Sequence, residues 1–349
     1  MYPREPNLVN GSSKSDQLSS RQLVNIRLLS TNLPHDPEVW LCRRQIRHAR
    51  TMDGFPAPAG RFRSDDSGLR YIFVRHLDDA CRRHGVRISW SSDHWVGVIE
   101  LRKTRSRVVG YTFDLNTAGA SELAVDKVCC FEALDASGVA AVPHHFLGTS
   151  SPGPWASLIP DHLGLPVVAK PVRGSGGADV LLCRDSDELD RNLDKLASKY
   201  TAISLSPYWD ADCEYRVVIL DGAPLLTFRK SRRLPKGSGE IREWRANLNL
   251  GAHAEVVGAS NPVYTELTDL AVRANCALGL RFAAVDMLSA GGKLAVLEVN
   301  DAFSLIHFAH QDKGHDLLTA EVYETVVAAA VAVGDPARRT PSTRPSLPL

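Results

Sequence analysis

Lys170 ends the apolar run Leu165-Pro-Val-Val-Ala169 and directly precedes a loop holding Gly174, Gly176 and Gly177. A lysine at the end of a buried strand is costly unless something negative meets it. Glycines let backbone N–H groups approach phosphate oxygens, and Ser175 adds a hydroxyl donor. The stretch reads as strand, lysine, glycine-rich turn, strand: a flap over phosphates, with Lys170 as their point charge. A surface hairpin with a lysine-tipped edge strand is the competing reading. A Walker A loop is excluded because its lysine follows the glycines and opens a helix. A dinucleotide fingerprint is excluded because the last glycine and the following helix are missing.

A second constellation lies downstream. Phe282-Ala-Ala-Val-Asp286-Met-Leu is an apolar strand carrying one carboxylate, and Leu294-Ala-Val-Leu-Glu298-Val-Asn300 repeats the pattern across a hairpin. Glu298 and Asn300 are two residues apart and face one side of their strand. Asp286, Glu298 and Asn300 together offer oxygen donors suited to a hard cation such as Mg²⁺, which takes few protein ligands and leaves positions for phosphate oxygens. The alternative is a set of charges pointing out from a sheet edge.

The elements that must position these groups are sharpest after Ser121. Ser121 is expected to cap a helix whose Val128, Phe131 and Leu134 share a face and which Gly138 ends. Strands 165–170 and 179–183 flank the glycine loop, and Ser186 caps a helix with Leu189, Leu193 and Leu196 on one face. A strand near 202–205 follows. Residues 216–220 and 225–230 flank Asp221-Gly222 as a hairpin. A helix over 263–278 stops at Gly279, and strands 281–288 and 293–299 meet at Ala290-Gly-Gly292. The order predicts an α+β fold with antiparallel pairs.

Before Ser121 the apolar runs Leu23–Leu29, Tyr71–Val74, Val86–Ser89, Val96–Leu101 and Val108–Tyr111 suggest an N-terminal α/β domain with strands of moderate length. Arg43, Arg44, Arg47 and Arg50 form either a basic binding surface or a solvated helix face. With 41 basic and 40 acidic residues, no global field argues for nucleic acid or a membrane surface. The seven cysteines are scattered without a CxxC pair, as in a reduced, cytoplasmic protein. The run Thr325–Gly334 is too short to span a bilayer and reads as the end of a packed helix.

From about Asn116 to Phe308 the chain resembles the ATP-grasp superfamily of carboxylate–amine ligases, in the branch of glutathione synthetases, cyanophycin synthetases and ribosomal-protein glutamate ligases. The resemblance rests on five stretches in family order: Phe113 to Lys127, VVAKPVRGSGG, Glu214 to Gly222, Arg245-Ala-Asn-Leu-Asn-Leu-Gly251, and AAVDML with VLEVN. Residues 1–21 are polar and without periodicity and read as a loose arm; after it the resemblance implies a three-part architecture. The parts are an N-terminal α/β domain (22–120), a central flap subdomain (121–205) and a C-terminal subdomain with the metal site (206–334), followed by a Pro-rich tail (335–349).

The resemblance also implies roles. Lys127 and Lys170 would hold the nucleotide phosphates, with the loop Gly174, Ser175, Gly176 and Gly177 closing over them. Leu205 to Tyr208, including Ser206, would lie at the adenine, and Glu214 would take the ribose or order its surroundings. Arg216, Lys230 and Arg245 would stabilise charge developing on an acyl phosphate. Competing readings are a solvated Lys127, structural ion pairs for Arg216 and Arg245, and Arg229, Arg232 or Arg233 in place of Lys230. Asp286, Glu298 and Asn300 would hold two Mg²⁺ (or Mn²⁺) ions, with Glu298 bridging. Ser204 and Ser206 replace the family's acidic or amide residue at the adenine, and Asp301 to His307 replaces its small-residue turn at the substrate.

The implied activity is ATP-dependent joining of a small-molecule or peptide carboxylate to an amine through an acyl phosphate, with ADP and phosphate released. A phosphotransferase and a catalytically silent ATP-binding module would use the same site. A homodimer is compatible with this reading, and neither nucleic acid nor membrane is an expected partner.

Overall fold

Ile72, Phe73, His76, Leu77 and Ala80 recur at helical spacing and are buried along one side of helix α1 (Arg70–Arg83). The Tyr71–Val74 run is therefore helical rather than a strand; four residues are too few to separate a period of 2 from one of 3.6. The computed structural model describes residues 69–102, 104–150, 155–158, 160, 163–174, 176–232 and 244–332. All of these lie within the compact unit Pro58–Leu349. The arm, the Leu23–Leu29 run, the basic segment around Arg43–Arg50, Ser175, Arg233 and the Pro-rich tail fall outside the described residues.

After α1, strands β1 (Arg87–Ser91), β2 (Val96–Leu101), β3 (Thr104–Val109) and β4 (Thr112–Phe113) form an antiparallel sheet in sequence order. Its apolar face meets α1 and the C-terminal helix α7 (Lys313–Ala332), where Phe73 packs edge-on to Tyr323 at 5.3 Å.

The helix expected from Ser121 is two helices. Thr117 caps α2 (Ala118–Val125), and Asp126 leaves helical geometry to cap α3 (Lys127–Ala136), accepting from Val128 and Cys129 N–H groups at 3.1 and 3.0 Å. The break has a consequence for the site: Lys127 becomes the first residue of a helix, and it is buried.

Strand β5 (His145–Gly148) opens a second sheet with β6 (Val167–Pro171), β7 (Leu181–Cys183) and β8 (Ala202–Pro207), in the order β5-β8-β6-β7. Helix α4 (Ser186–Ala197) covers this sheet with Leu189, Leu193 and Leu196; its cap is Asp185 rather than Ser186, accepting from Glu188 N–H at 2.7 Å.

The central sheet has the order β11-β10-β9-β12-β13, built from β9 (Cys213–Leu220), β10 (Ala223–Ser231), β11 (His253–Val256), β12 (Phe282–Ala290) and β13 (Lys293–Asn300). Every strand pair in the three sheets is antiparallel, in keeping with an α+β fold. Both hairpins turn where expected, at Asp221-Gly222 and Gly291-Gly292, and all four turn residues have positive φ.

Alternation splits the central sheet into two faces. Val217 and Ile219 of β9 and Ala283 and Val285 of β12 pack under α2, α3 and α5 (Tyr264–Ala277). Val218, Leu220, Phe228, Phe282 and Ala284 face the other way, toward the N-terminal sheet, α7 and the short helix α6 (Ile306–Ala309). At one end this second face stops being apolar: Glu214, Arg216, Lys230 and Asp286 continue its rows.

Candidate active site

The polar end of that face forms part of a cavity of about 630 Å³. Lys170, Val168 and Ser206 of the β5–β8 sheet line it from another side, with the loop residues Gly174, Gly176 and Gly177. Among the described residues, six cations line it (Lys127, Lys170, Arg216, Lys230, Arg232, Arg245) against three carboxylates (Glu214, Asp286, Glu298). Such an excess of positive charge at a concave site favours a polyanion.

Lys170 is buried and, among the described residues, has no carboxylate within ion-pair distance. Burial lowers its pKa to about 8, and Glu298 offsets this only in part. Lys127 approaches the same space from the start of α3. Its ammonium donates to the Gly174 carbonyl at 2.9 Å and its backbone N–H to the Val172 carbonyl at 3.2 Å, so it also tethers the entrance of the glycine loop. Ser175, at the loop's centre, lies outside the described residues.

The far side of the loop is held differently. Arg245 donates to the Gly177 carbonyl, and a Cβ built on Gly177 would stand 2.6 Å from Asn247 Nδ2. Gly177 also has a φ of +76°, so it is required twice, for its conformation and for this close approach.

Arg216 and Lys230 meet carboxylates directly. Arg216 makes a two-point bond to Asp286, its register partner on β12. Lys230 lies between Asp286 (3.1 Å) and Glu214. Burial pushes the Asp286 carboxyl up, but Arg216 and Lys230 outweigh it and hold it at about 2. Burial likewise opposes the charge on Lys230, and Asp286 and Glu214 overcome it, so its pKa is raised. Of the clustered cations, Lys230 is the one on the inner row of β10; Arg229 points the other way and pairs with Glu255, while Arg232 lines the cavity.

Asp286 and Glu298 are register partners across the β12–β13 hairpin, next to a β-bulge that leaves Leu297 unmatched. Asn300 donates from Nδ2 to Asp286 Oδ2 and to Glu298 Oε1, both at 3.2 Å. The three side chains thus converge on one point, and turning the amide would bring its oxygen there instead. The donor set is then three hard oxygens, which fits a divalent cation such as Mg²⁺. Among the described residues no group of three or more His, Cys, Asp or Glu side chains is placed to hold a metal, so the amide is integral to this candidate.

Ser206, Pro207 and Tyr208 line the cavity, and Tyr208 packs edge-on to Trp244 at 5.8 Å. The Tyr208 N–H is already donated to the Pro166 carbonyl. The Ser204 hydroxyl is fully buried and bonded to His144 Nδ1 at 2.9 Å. His144, Asn247 and Trp244 were not singled out by sequence reading. Asn247 stands in the quoted Arg245–Gly251 stretch, but nothing local to His144 announces its contacts.

A profile described as RimK-like ATP-grasp domain matches residues 124–320, a span that contains every candidate residue from Lys127 to Asn300. A probable alpha-L-glutamate ligase of Pasteurella multocida (strain Pm70) is 30% identical over 189 residues, 53% of this chain and 56% of that protein. One of Haemophilus influenzae (strain PittEE) is 28% identical over 193 residues, covering 54% and 59%. The chain thus spans less than two thirds of the length of these curated relatives. The crystal structure of a D-alanine–D-alanine ligase from Bacillus anthracis is similar over 63% of this chain and 72% of that one, at 20% identity and a TM-score of 0.48. No helix among the described residues is long and apolar enough to cross a membrane.

Proposed function

Because the chain belongs to the RimK-like ATP-grasp family, we propose that it is an ATP-dependent carboxylate–amine ligase. In this reading a small-molecule or peptide carboxylate is phosphorylated by ATP, an amine attacks the acyl phosphate, and ADP and phosphate leave. The observation that carries the reading is the buried Lys170, with no carboxylate at ion-pair distance among the described residues, in a cavity also lined by Asp286, Glu298 and Asn300.

In this reading Lys170 and Lys127 hold phosphate oxygens, and the Gly174–Gly177 backbone lies over them. Asp286, Glu298 and Asn300 would hold the cations, two Mg²⁺ ions in this reading. Bound there, Mg²⁺ would neutralise phosphate charge and polarise the transferring group. Arg216 and Lys230 fix Asp286 in its ionised form and orient it, a role supported by their direct bonds. Arg245 holds the loop at Gly177 and stands close enough to the cavity to meet charge on the acyl phosphate. Tyr208 and Trp244 supply the wall against which the adenine packs, and Glu214 orders Lys230 beside the ribose. The protein acts in the cytoplasm, and a homodimer is compatible with the reading.

Glutamate, in the names of the curated relatives, is the first amine to test, against a panel of small carboxylates and peptides. Hydroxylamine in place of the amine is expected to trap the activated carboxylate as a hydroxamate, in step with ADP. AMP and pyrophosphate as products would overturn the reading. A stable phosphorylated product without hydroxamate would replace it with a phosphotransferase.

A further inference from the structure

His144 belongs to none of the groups assigned above, yet it joins two of them. It is 4% exposed and follows a short strap in which Val142 N–H donates to the Val296 carbonyl and Val296 N–H to the Ala140 carbonyl. Immediately after His144 the chain enters β5 and pairs with β8. The residue therefore sits where the backbone passes from the central sheet to the flap sheet.

Its two ring nitrogens reach one sheet each. Nε2 lies 3.3 Å from the Leu297 carbonyl, which can only accept, so Nε2 carries the proton. Nδ1 is then the acceptor, and the Ser204 hydroxyl donates a hydrogen bond to it at 2.9 Å. Leu297 is the unmatched residue of the bulge and directly precedes Glu298. Ser204 is the register partner of Lys170.

We infer that His144 is a positioning residue that sets the separation between the metal-side carboxylate Glu298 and the phosphate-side Lys170. It does so by pinning the bulge carbonyl beside one and the strand residue opposite the other. Bulges re-aim side chains, and a free bulge carbonyl leaves that aim loose. His144 removes the looseness and refers the aim of Glu298 to the strand that carries the Lys170 pair. The inference rests on the proposed nucleotide-and-metal reading of the cavity.

The test uses the full chain, with Mn²⁺ uptake in the presence of ADP followed by the loss of the free-ion electron paramagnetic resonance signal, and ADP affinity measured separately. His144→Leu is expected to weaken Mn²⁺ uptake about 10-fold or more, as loss of a partner behind a metal ligand does, while ADP affinity changes less. His144→Gln, whose amide can still donate to the Leu297 carbonyl, should recover most of the loss. Ser204→Ala removes one atom and keeps the measurement decisive if His144→Leu does not fold; it should weaken uptake in the same direction. Folded variants that match the wild type in Mn²⁺ uptake overturn the inference alone. A loss that follows melting temperature, falls equally on ADP and is not recovered by Gln also overturns it, in favour of plain structural support. A wild-type chain that takes up no Mn²⁺ with ADP overturns it together with the site reading.

Discussion

Arg216 grips both carboxylate oxygens of Asp286, through Nε at 2.8 Å and Nη2 at 2.6 Å, from the directly opposing position on the neighbouring strand. A fork-to-fork pair of this kind is geometrically specific and only marginally replaceable by lysine. Asp286 is 1% exposed, so the pair is also a structural element of the sheet.

Removing the arginine leaves that carboxylate, among the described residues, with Lys230 as its one cation beside the Asn300 amide. Arg216→Met is therefore expected to destabilise the fold by about 3 kcal/mol, the lower range for breaking a buried pair. Chemical denaturation would show the loss as a lower midpoint at unchanged slope. Unchanged stability with reduced turnover would instead assign Arg216 to the reacting groups alone.

Lys170 predicts a pH dependence. Its folded pKa, about 8, lies below the ordinary lysine value because burial disfavours the charge. Between that ordinary value and 8 the unfolded chain binds a proton that the folded chain does not, so stability rises with pH across this window. Below pH 8 both states are protonated and the full cost, about 3 kcal/mol, is present. Lys170→Met should accordingly be more stable than the wild type at pH 7 and lose the stability rise above pH 8. Nucleotide affinity should behave oppositely: it falls in the wild type as pH passes 8, and is weak and flat in the variant. Titration calorimetry across pH 6.5–9.5 checks both the size and the sign; tight, pH-independent binding by Lys170→Met would exclude a phosphate role.

Gly177→Ala is expected to disturb the loop without disturbing the core. The new methyl would strain a φ of +76° and press on Asn247, both in a partly exposed segment. The strain is on the order of 1 kcal/mol or more, so the melting temperature should fall by a few degrees while the KM for ATP rises. Arg245→Ala should raise the same KM through loss of its bond to the Gly177 carbonyl. A fall in kcat alone for Arg245→Ala would mean that it acts on the acyl phosphate and not on the loop.

Glu298→Ala should nearly abolish turnover while nucleotide binding falls less, because the carboxylate organises the cation at the transferring phosphate. Equilibrium binding of ADP measured with and without Mg²⁺ separates the two effects. A variant that keeps full Mg²⁺-dependent activity would put the metal elsewhere.

Local chemistry made much of this molecule readable in advance. Asp221-Gly222 and Gly291-Gly292 announce hairpins because glycine and aspartate accept positive φ at low cost, and all four residues have it. Glu298 and Asn300 face one side because strand side chains alternate, whatever the rest of the fold does. Leu189, Leu193 and Leu196 mark α4 by spacing alone. Boundaries were less legible: Thr117 and Asp126 cap the two helices expected as one from Ser121, and Asp185 caps α4 in place of Ser186, since residues of similar capping strength compete and the tertiary path selects.

The pairing of charges belonged to the tertiary structure. Arg216 meets Asp286 across 70 residues of chain, and Lys230 meets the same carboxylate across 56. Sequence order names the cations and the carboxylates but not which strand lies beside which. That choice depends on sheet order, and sheet order is set by burying apolar faces of distant segments together. His144 shows the same limit most plainly. Its partners are 60 and 153 residues away, on two different sheets, and only their packing gives a single imidazole both of its bonds.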